Sequence, residues 1–303
     1  MRFDRSITLG IAKPVRSACR LLRPASNTPR LPILMYHSIS DTVEPVASEY
    51  YQVCTAPRQF SHQMTWLADN GWRGVTLSEG LASLHPSPSS PAAQLSTLNS
   101  HPPSKKLVAI TFDDGFRDFH TAAYPILQRH GFSATMYLPT GFIGDERRQF
   151  KERECLTWEE VRELHAVGVE FGSHTVNHPN LVESPWTEIG IELKDSKAAI
   201  EQALGKAVKS FGYPYAFPQA EGNYVRKFRE LLVEAGYASC VTTAIGRARP
   251  NDDLLRLPRL PANSADDSVL LEAKLAGAYD WMALPQFLRK HSLLRSIRPS
   301  SYA

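Results

Sequence analysis

Short apolar segments alternate along the chain with segments in which apolar residues recur every three or four positions. The short runs predict buried strands at residues 32–39, 106–112, 133–138, 169–173, 208–213, 238–242 and 255–260. The helical periodicity predicts helices at residues 57–70, 118–130, 158–167, 187–204 and 224–235. Strands separated by helices form βαβ units with parallel pairing, so the predicted fold class is α/β. A count of about seven strands favours a (β/α) barrel.

The predicted barrel spans residues 31–268 and carries one long insertion. Residues 85–105 are rich in Pro and Ser and poor in apolar residues, which is typical of a surface loop rather than of a domain boundary. Residues 1–30 form a basic leader, and residues 269–303 form a segment of helical tendency with a basic end. We therefore interpret the chain as one barrel domain with two extensions.

The composition is that of a globular protein. Hydrophobic residues make up 43% of the 303 residues, which is enough for a sizeable core. The net charge of +3 is too small to indicate nucleic acid as a partner. The sequence has no apolar run long enough for a transmembrane helix.

The cysteines and the termini predict a cytoplasmic protein. Cys19, Cys54, Cys155 and Cys240 are widely separated, so we expect reduced thiols rather than a zinc knuckle or a redox pair. The N-terminal residues lack the apolar core of a signal peptide. Basic residues near both ends predict peripheral contact with the cytoplasmic face of the membrane, and a solvated tail is the alternative.

Two adjacent carboxylates follow the predicted strand at residues 106–112. Asp113 and Asp114 precede Gly115, which permits a sharp turn. Carboxylates at the end of an apolar strand must be solvated, paired or bound to a cation. The carboxyl ends of barrel strands form the active-site face, so this motif is a candidate catalytic or metal site. A helix cap is the alternative interpretation.

Two histidines follow the predicted strand at residues 169–173. His174 and His178 are four positions apart and converge on one ion if the turn between them is helical. Two imidazoles and a carboxylate are a ligand set that Zn²⁺ accepts while leaving a position for water. A capping or buried neutral histidine is the alternative for His174, and a surface position is the alternative for His178.

A third motif lies at the end of the predicted strand at residues 208–213. Aromatic rings flank a proline at Tyr213, Pro214 and Tyr215, where they could form a rigid apolar wall for a sugar ring. Taken alone, this motif is better explained by ordinary core packing.

The three motifs together are more specific than any one of them. TFDDG, SHTVNH and YPY, in this order and each at a strand end, resemble the polysaccharide deacetylase family, also called the NodB-homology or carbohydrate esterase family 4 group. The resemblance covers about residues 31–261. It implies a NodB-type deacetylase barrel and metal-dependent removal of N-acetyl groups from N-acetylhexosamine units.

The resemblance also implies a role for each matching residue. Asp113 corresponds to the general base, and Asp114, His174 and His178 correspond to the metal ligands. Thr175 corresponds to a hydroxyl that steadies the loop between the histidines. The metal that we expect is Zn²⁺, with Co²⁺, Ni²⁺ or Mn²⁺ as alternatives.

The third motif would contact the substrate. The resemblance implies that the backbone N–H of Tyr215 helps to hold the oxyanion formed in the reaction. Tyr213, Pro214 and Tyr215 are therefore the predicted substrate-binding residues.

The sequence departs from the family pattern at two places. The family's third motif begins with an Arg that pairs with the base, but Gly212 stands at that position. We hypothesise that Arg259 pairs with the base instead. The general-acid histidine of the family lies near the C-terminal end, where nothing matches. His37, in the run ILMYH, resembles that strand moved to the N-terminus, as in permuted members, and is the predicted general acid.

Three functions remain open at this point. The first is a deacetylase acting on an N-acetylated polysaccharide or on a glycan precursor, including a lipid-linked one. The second is another carbon–nitrogen hydrolase on the same barrel, acting on small cyclic amides or formyl groups. The third is a carbohydrate-binding protein without turnover, which the complete set of two aspartates and two histidines disfavours.

Overall fold

The computed structural model of the protein describes residues 4–10, 29–42, 52–84 and 106–288. The predicted insertion at residues 85–105 lies outside the described residues, as do most of the basic leader and residues 289–303 of the C-terminal segment. In the described part of the chain, no helix is both long enough and apolar enough to cross a bilayer.

The strands and helices alternate as the periodicity predicts. The strands are β1 (Ile33–Tyr36), β2 (Trp72–Val75), β3 (Lys106–Phe112), β4 (Thr135–Leu138), β5 (Gln149–Phe150), β6 (Arg153–Glu154), β7 (Glu170–Ser173), β8 (Ser210–Gly212), β9 (Ser239–Ile245) and β10 (Leu257–Pro261). The α-helices are α1 (residues 4–10), α2 (Pro57–Asp69), α3 (Leu77–Leu84), α4 (Tyr124–Arg129), α5 (Trp158–Ala166), α6 (Trp186–Leu204), α7 (Gly222–Glu234), α8 (Ser268–Ala276) and α9 (residues 283–288). A π-helical turn at Phe119–Ala123 leads directly into α4.

Seven parallel strands close into a barrel, which confirms the predicted fold class. The ring runs β1, β3, β4, β7, β8, β9, β10 and returns to β1, because β1 pairs in parallel with both β10 and β3. The first strand of the ring therefore lies beside the last one in the chain. This arrangement places the end of β1 next to the end of β3, where the two aspartates follow.

Strand β2 and helix α3 are elements that the periodicity did not predict. β2 pairs with the first half of β3, whereas β4 pairs with its last two residues. β2 therefore lies beside the first part of β3 without joining the ring. Its four residues include Gly74 and Arg73 and form no continuous apolar run, so the sequence signal is weak.

Alternate residues of each strand divide the core into two parts. Ile33 and Ala109 belong to a small cluster inside the barrel, together with Tyr137. Leu34 and Ile110, their neighbours in sequence, belong to the larger cluster between the barrel and the helices. This period of two lets both faces of the sheet be apolar, which is why the strands read as unbroken apolar runs.

Part of the predicted leader is folded against the C-terminal region. The carboxylate of Asp4 in α1 accepts a hydrogen bond of 2.7 Å from the Tyr279 hydroxyl. The indole N–H of Trp281 donates to the hydroxyl of Thr8 at 3.0 Å. Residues 4–10 are thus a packed helix rather than a loose leader.

A charged cluster fixes the start of α5. Thr157 and Glu160 form a capping box, in which each side chain bonds the other residue's backbone N–H. The Glu160 carboxylate also accepts two hydrogen bonds from the Arg147 guanidinium, at 2.6 and 2.9 Å. Burial would raise the pKa of Glu160, but Arg147 and the Thr157 backbone outweigh burial and lower this pKa from 4.5 to about 2.

This pKa shift predicts a pH-dependent contribution to stability. The folded-state pKa lies below the unfolded value, so the contribution is complete above about pH 4.5 and is lost as the pH falls toward about 2. We expect Glu160→Gln to reduce the free energy of unfolding at neutral pH and to flatten its dependence on pH between 4.5 and 2. Urea titrations at several pH values measure both effects, with the exposed Glu159→Gln as the control. An unchanged pH slope in Glu160→Gln would contradict the assignment.

Candidate active site

Asp113 and Asp114 lie at the carboxyl end of β3 and are almost completely buried, at 2% and 1% exposure. The backbone N–H of Asp113 donates to the carbonyl of Tyr36 at 3.0 Å, which continues the pairing between β1 and β3. Asp114 and Gly115 then adopt left-handed backbone conformations, with φ of 72° and 63°. This turn directs the two neighbouring carboxylates to different partners.

Arg259 is the partner of Asp113. Its two terminal nitrogens each donate to one oxygen of Asp113 at 2.7 Å, and the Arg259 side chain is fully buried. Its Nε donates to the carbonyl of Thr242 at 2.9 Å, which fixes the guanidinium plane. Burial would raise the pKa of Asp113, but Arg259 outweighs burial and holds this pKa below its ordinary value. The geometry that we hypothesised for Arg259 is thus present.

The structure also shows why position 212 is a glycine. A β-carbon built on Gly212 would lie 2.7 Å from Cγ of Tyr137, well inside contact distance. The Tyr137 ring fills the inside of the barrel at this level, and its hydroxyl bonds to Ser210 at 2.8 Å. A side chain at Gly212 would therefore require Tyr137 to move, and in this packing the arginine comes from another strand.

Asp114, His174 and His178 form a compact cluster at the same end of the barrel. Their ligand atoms all lie within 4.8 Å of one another. Nε2 of His174 and Nε2 of His178 are 3.6 and 3.2 Å from the same oxygen, Asp114 Oδ1. Burial would raise the pKa of Asp114, but the two histidines and Lys151 hold this pKa well below its ordinary value.

The chemistry of this cluster fits a divalent cation. Nδ1 of His174 lies 2.6 Å from the carbonyl of Gly212, which can only accept, so Nδ1 carries a proton and Nε2 is the nitrogen that can bind a cation. Burial lowers the pKa of His178, which favours its neutral ring. Asp114 Oδ1 is buried and accepts no hydrogen bond from the described residues. These three atoms would offer lone pairs to a bound cation.

The sequence analysis made convergence of the two histidines conditional on a helical turn, but the loop between them is not helical. Thr175 and His178 have left-handed backbones, with φ of 70° and 54°, and these two residues bring the rings together. The hydroxyl of Thr175 accepts a hydrogen bond of 2.9 Å from the backbone N–H of His178. The correction concerns the path of the chain, because the two rings still converge.

Helix α6 holds this loop through residues that the sequence analysis missed. The Glu192 carboxylate accepts hydrogen bonds from the backbone N–H groups of Val176 and Asn177, at 2.6 and 3.0 Å. The hydroxyls of Ser196 and Ser173 lie 2.6 Å apart. Ser196 interrupts the buried face of α6, which is otherwise apolar, and this interruption was the available sequence signal.

His37 also lies beside Asp113. It follows β1 directly, and its Nε2 is 3.9 Å from Asp113 Oδ2. Burial lowers the pKa of His37, and the nearby Asp113 opposes part of this effect. The closed ring thus brings a residue near the N-terminus to the predicted site.

The predicted substrate-binding residues lie in different environments. The ring of Tyr213 is 1% exposed and packs edge-on against Phe217 and Phe228, so it belongs to the core. Pro214 is also buried. The Tyr215 side chain is 51% exposed, and its ring packs edge-on against His178 with 4.6 Å between ring centroids. Of the three, Tyr215 alone is placed to meet a substrate.

Unusual backbone conformations concentrate at this end of the barrel. Within the described ranges, the non-glycine residues with positive φ are Asp114, Lys151, Glu152, Thr175, His178 and Tyr215. Such conformations cost free energy and cluster at functional sites, where the surrounding structure enforces them. The set includes Asp114 and His178, two of the three residues in the compact cluster, which supports a functional interpretation of the site.

Comparison with known proteins agrees with this geometry. The family model for polysaccharide deacetylase matches residues 100–239. The Bacillus subtilis protein YxkH, whose name describes it as a candidate polysaccharide deacetylase, is 29% identical over 231 residues, which cover 76% of this chain and 71% of that protein. A poly-β-1,6-N-acetyl-D-glucosamine N-deacetylase of Staphylococcus aureus is 27% identical over 166 residues. The match covers 52% of each chain, so it spans about half the length of that relative.

Solved structures share the fold. The Streptococcus pyogenes deacetylase PplD, solved in complex with acetate, superposes with a TM-score of 0.66 and 27% identity over 82% of this chain and 99% of that chain. IcaB from Ammonifex degensii superposes with a TM-score of 0.62 and 24% identity over 81% of this chain and 97% of that chain, which supports the fold alone.

The fold and these relatives indicate a hydrolase that acts on carbon–nitrogen bonds other than peptide bonds. The family model, the YxkH relative and the PplD structure support the resemblance to the polysaccharide deacetylase family that the motifs predict.

The buried pair of Asp113 and Arg259 generates a prediction for stability. We expect Arg259→Met to lower the free energy of unfolding by about 3–5 kcal/mol, because it leaves a buried carboxylate without a partner. The double variant with Asp113→Asn should be less destabilised than Arg259→Met alone, because neither charge then remains. Urea denaturation of wild type, Arg259→Met, Asp113→Asn and the double variant, in the presence of a chelator, measures this coupling. Additive effects of the two substitutions would contradict a direct interaction.

Proposed function

We propose that this protein is a divalent-metal-dependent deacetylase that removes N-acetyl groups from N-acetylhexosamine units of a glycan. The observation that carries the proposal is the division of labour between the two buried carboxylates. Asp114 faces two imidazoles, whereas Asp113 faces a guanidinium and a third imidazole. Such a site offers a cation position beside a separate base and acid.

Asp114, His174 and His178 are the residues that would hold the metal ion. A divalent ion in this position supplies Lewis acidity, which polarises a carbonyl and lowers the pKa of water. Zn²⁺ is the ion that we propose, because two imidazoles and one carboxylate suit it and leave a position open. Co²⁺, Ni²⁺ and Mn²⁺ are the alternatives to be compared.

Asp113 would act as the general base in amide hydrolysis. Its lowered pKa keeps it ionised at neutral pH, so it can take a proton from the attacking water. Arg259 bonds both of its oxygens and keeps the carboxylate in one orientation. The oxygen of the water forms a bond to the acetyl carbon, and the bond from this carbon to the sugar nitrogen breaks.

His37 would act as the general acid. The departing nitrogen needs a proton, because an amide anion is a very poor leaving group. Nε2 of His37 lies 3.9 Å from Asp113 Oδ2, and the His37 side chain is 21% exposed, so a substrate can reach it. Its lowered pKa makes the protonated ring a stronger acid. The products are acetate and the free amine of the sugar.

The exposed ring of Tyr215 supports a sugar substrate. It lies beside His178, where it can stack on a hexosamine ring while the acetamido group enters the site. The Staphylococcus aureus relative is named for activity on poly-β-1,6-N-acetyl-D-glucosamine. We therefore propose β-linked N-acetylglucosamine as the first substrate class to test.

Acetate release from defined N-acetylglucosamine oligomers tests this proposal. We expect the metal-loaded protein to release acetate, the chelated protein to release none, and re-addition of Zn²⁺ to restore activity. Asp114→Asn should lose both metal and activity. Metal binding without acetate release would favour another carbon–nitrogen hydrolase, to be screened with formyl and cyclic amides. Absence of both metal and acetate would overturn the proposal.

His37→Ala tests the assignment of the acid separately from the metal. We expect it to retain wild-type metal content and to lose about 10²–10⁴-fold in kcat, which is the usual contribution of a positioned acid. His62→Ala, which changes an exposed histidine on α2, is the matched control and should keep wild-type turnover. Unchanged turnover in His37→Ala would refute this role.

A further inference from the structure

The hairpin of β5 and β6 reaches from the barrel rim to the proposed metal ligands. Its two-residue turn, Lys151 and Glu152, has positive φ at both positions, 49° and 60°, as a tight hairpin turn requires. The side chain of Lys151 points from this turn to Asp114, with 3.0 Å between Nζ and Oδ2. This contact joins a residue outside the recognised motifs to the centre of the site.

The two oxygens of Asp114 have different partners. Oδ1 faces the Nε2 atoms of His174 and His178, at 3.6 and 3.2 Å. Oδ2 accepts the hydrogen bond from Lys151. A carboxylate with one oxygen held in this way presents the other oxygen alone to a cation. Because Oδ1 is left open, a cation could bind without displacing the ammonium.

The ammonium is held in place by more than this hydrogen bond. It lies 4.6 Å from the ring centroid of Phe150 and 5.7 Å from that of Tyr215. Contacts between a cation and an aromatic face are attractive and directional. The Phe150 ring in turn packs 5.0 Å from the ring of His178, so the hairpin touches two of the three proposed ligands.

The hairpin itself is fixed to the barrel on both strands. Arg153 in β6 donates to the hydroxyl of Ser38 at 2.6 Å, and its guanidinium lies over the ring of Phe116. Before β5, Arg148 donates to the carbonyl of Gly141 at 2.8 Å. These contacts anchor the hairpin, and its turn lies beside Asp114.

We propose that Lys151 is a positioning residue that restricts Asp114 to binding the metal through one oxygen. This inference rests on the proposed function, because it assumes that Asp114 is a metal ligand. Groups that hydrogen-bond a ligating carboxylate orient it, and their loss costs about 10–100-fold in metal affinity or activity. An ammonium that only repelled the metal would have the opposite effect, since its removal would tighten binding.

The test compares metal affinity in three variants by competition with a chromogenic chelator. We expect Lys151→Met to weaken Zn²⁺ binding by about 10–100-fold. Lys151→Arg, which keeps a charged donor, should recover part of the affinity. Lys206→Met removes the charge of an exposed lysine in the bend after α6, and it should bind Zn²⁺ within about threefold of wild type, as expected for an exposed charge.

Two further readouts separate positioning from a general loss of structure. Far-ultraviolet circular dichroism of the metal-free proteins reports secondary structure, and it should be the same for wild type and Lys151→Met. The visible absorption spectrum of the Co²⁺ forms reports coordination, and it should change in Lys151→Met and return toward wild type in Lys151→Arg. A metal-free Lys151→Met with altered circular dichroism, together with an unaltered Co²⁺ spectrum, would overturn the positioning role.

The outcomes distinguish this inference from the proposed function. Wild-type binding together with equal or tighter binding by Lys151→Met would overturn the role of Lys151 and leave the metal site intact. A wild-type protein that binds no divalent ion would overturn the metal site and the role of Lys151 together.

Discussion

The buried ion pair between Arg259 and Asp113 is the interaction on which the site depends. Two adjacent carboxylates cannot both remain charged in a dry interior without separate compensation. Arg259 neutralises Asp113 through two hydrogen bonds of 2.7 Å, which leaves Asp114 as the carboxylate that faces His174 and His178. The same ion pair keeps Asp113 ionised, so a base and a cation position can exist one residue apart.

Barrel closure supplies the residues that this arrangement needs. β1 lies between β10 and β3, so His37, which follows β1, and Arg259, in β10, both reach the carboxylate that follows β3. A site built from strand ends tolerates such changes of chain order, because it requires the positions of side chains and not their sequence. The glycine at position 212 fits this explanation, since Tyr137 fills the space that a side chain would need.

Sequence patterns predicted the elements and motifs but not the contacts that support them. The apolar runs identified the seven barrel strands, and the strand-end motifs identified Asp114, His174 and His178, which the structure brings together. Glu192 and Lys151 were missed because each acts on a residue far away along the chain and belongs to no local motif. Tyr213 shared a motif with Tyr215, yet its ring lies in the core, whereas Tyr215, which follows the end of β8 and has a left-handed backbone, is exposed. The left-handed path between the histidines also leaves no signal in residue type.

A crystal structure of the Zn²⁺-loaded protein, with anomalous scattering recorded at the zinc edge, tests the central claim most directly. The account predicts one anomalous peak bonded to Asp114 Oδ1 and to Nε2 of both His174 and His178, with Asp113 still paired to Arg259 and outside the coordination sphere. A peak coordinated by Asp113, or a peak away from these three residues, would contradict the assignment of one carboxylate as ligand and its neighbour as base.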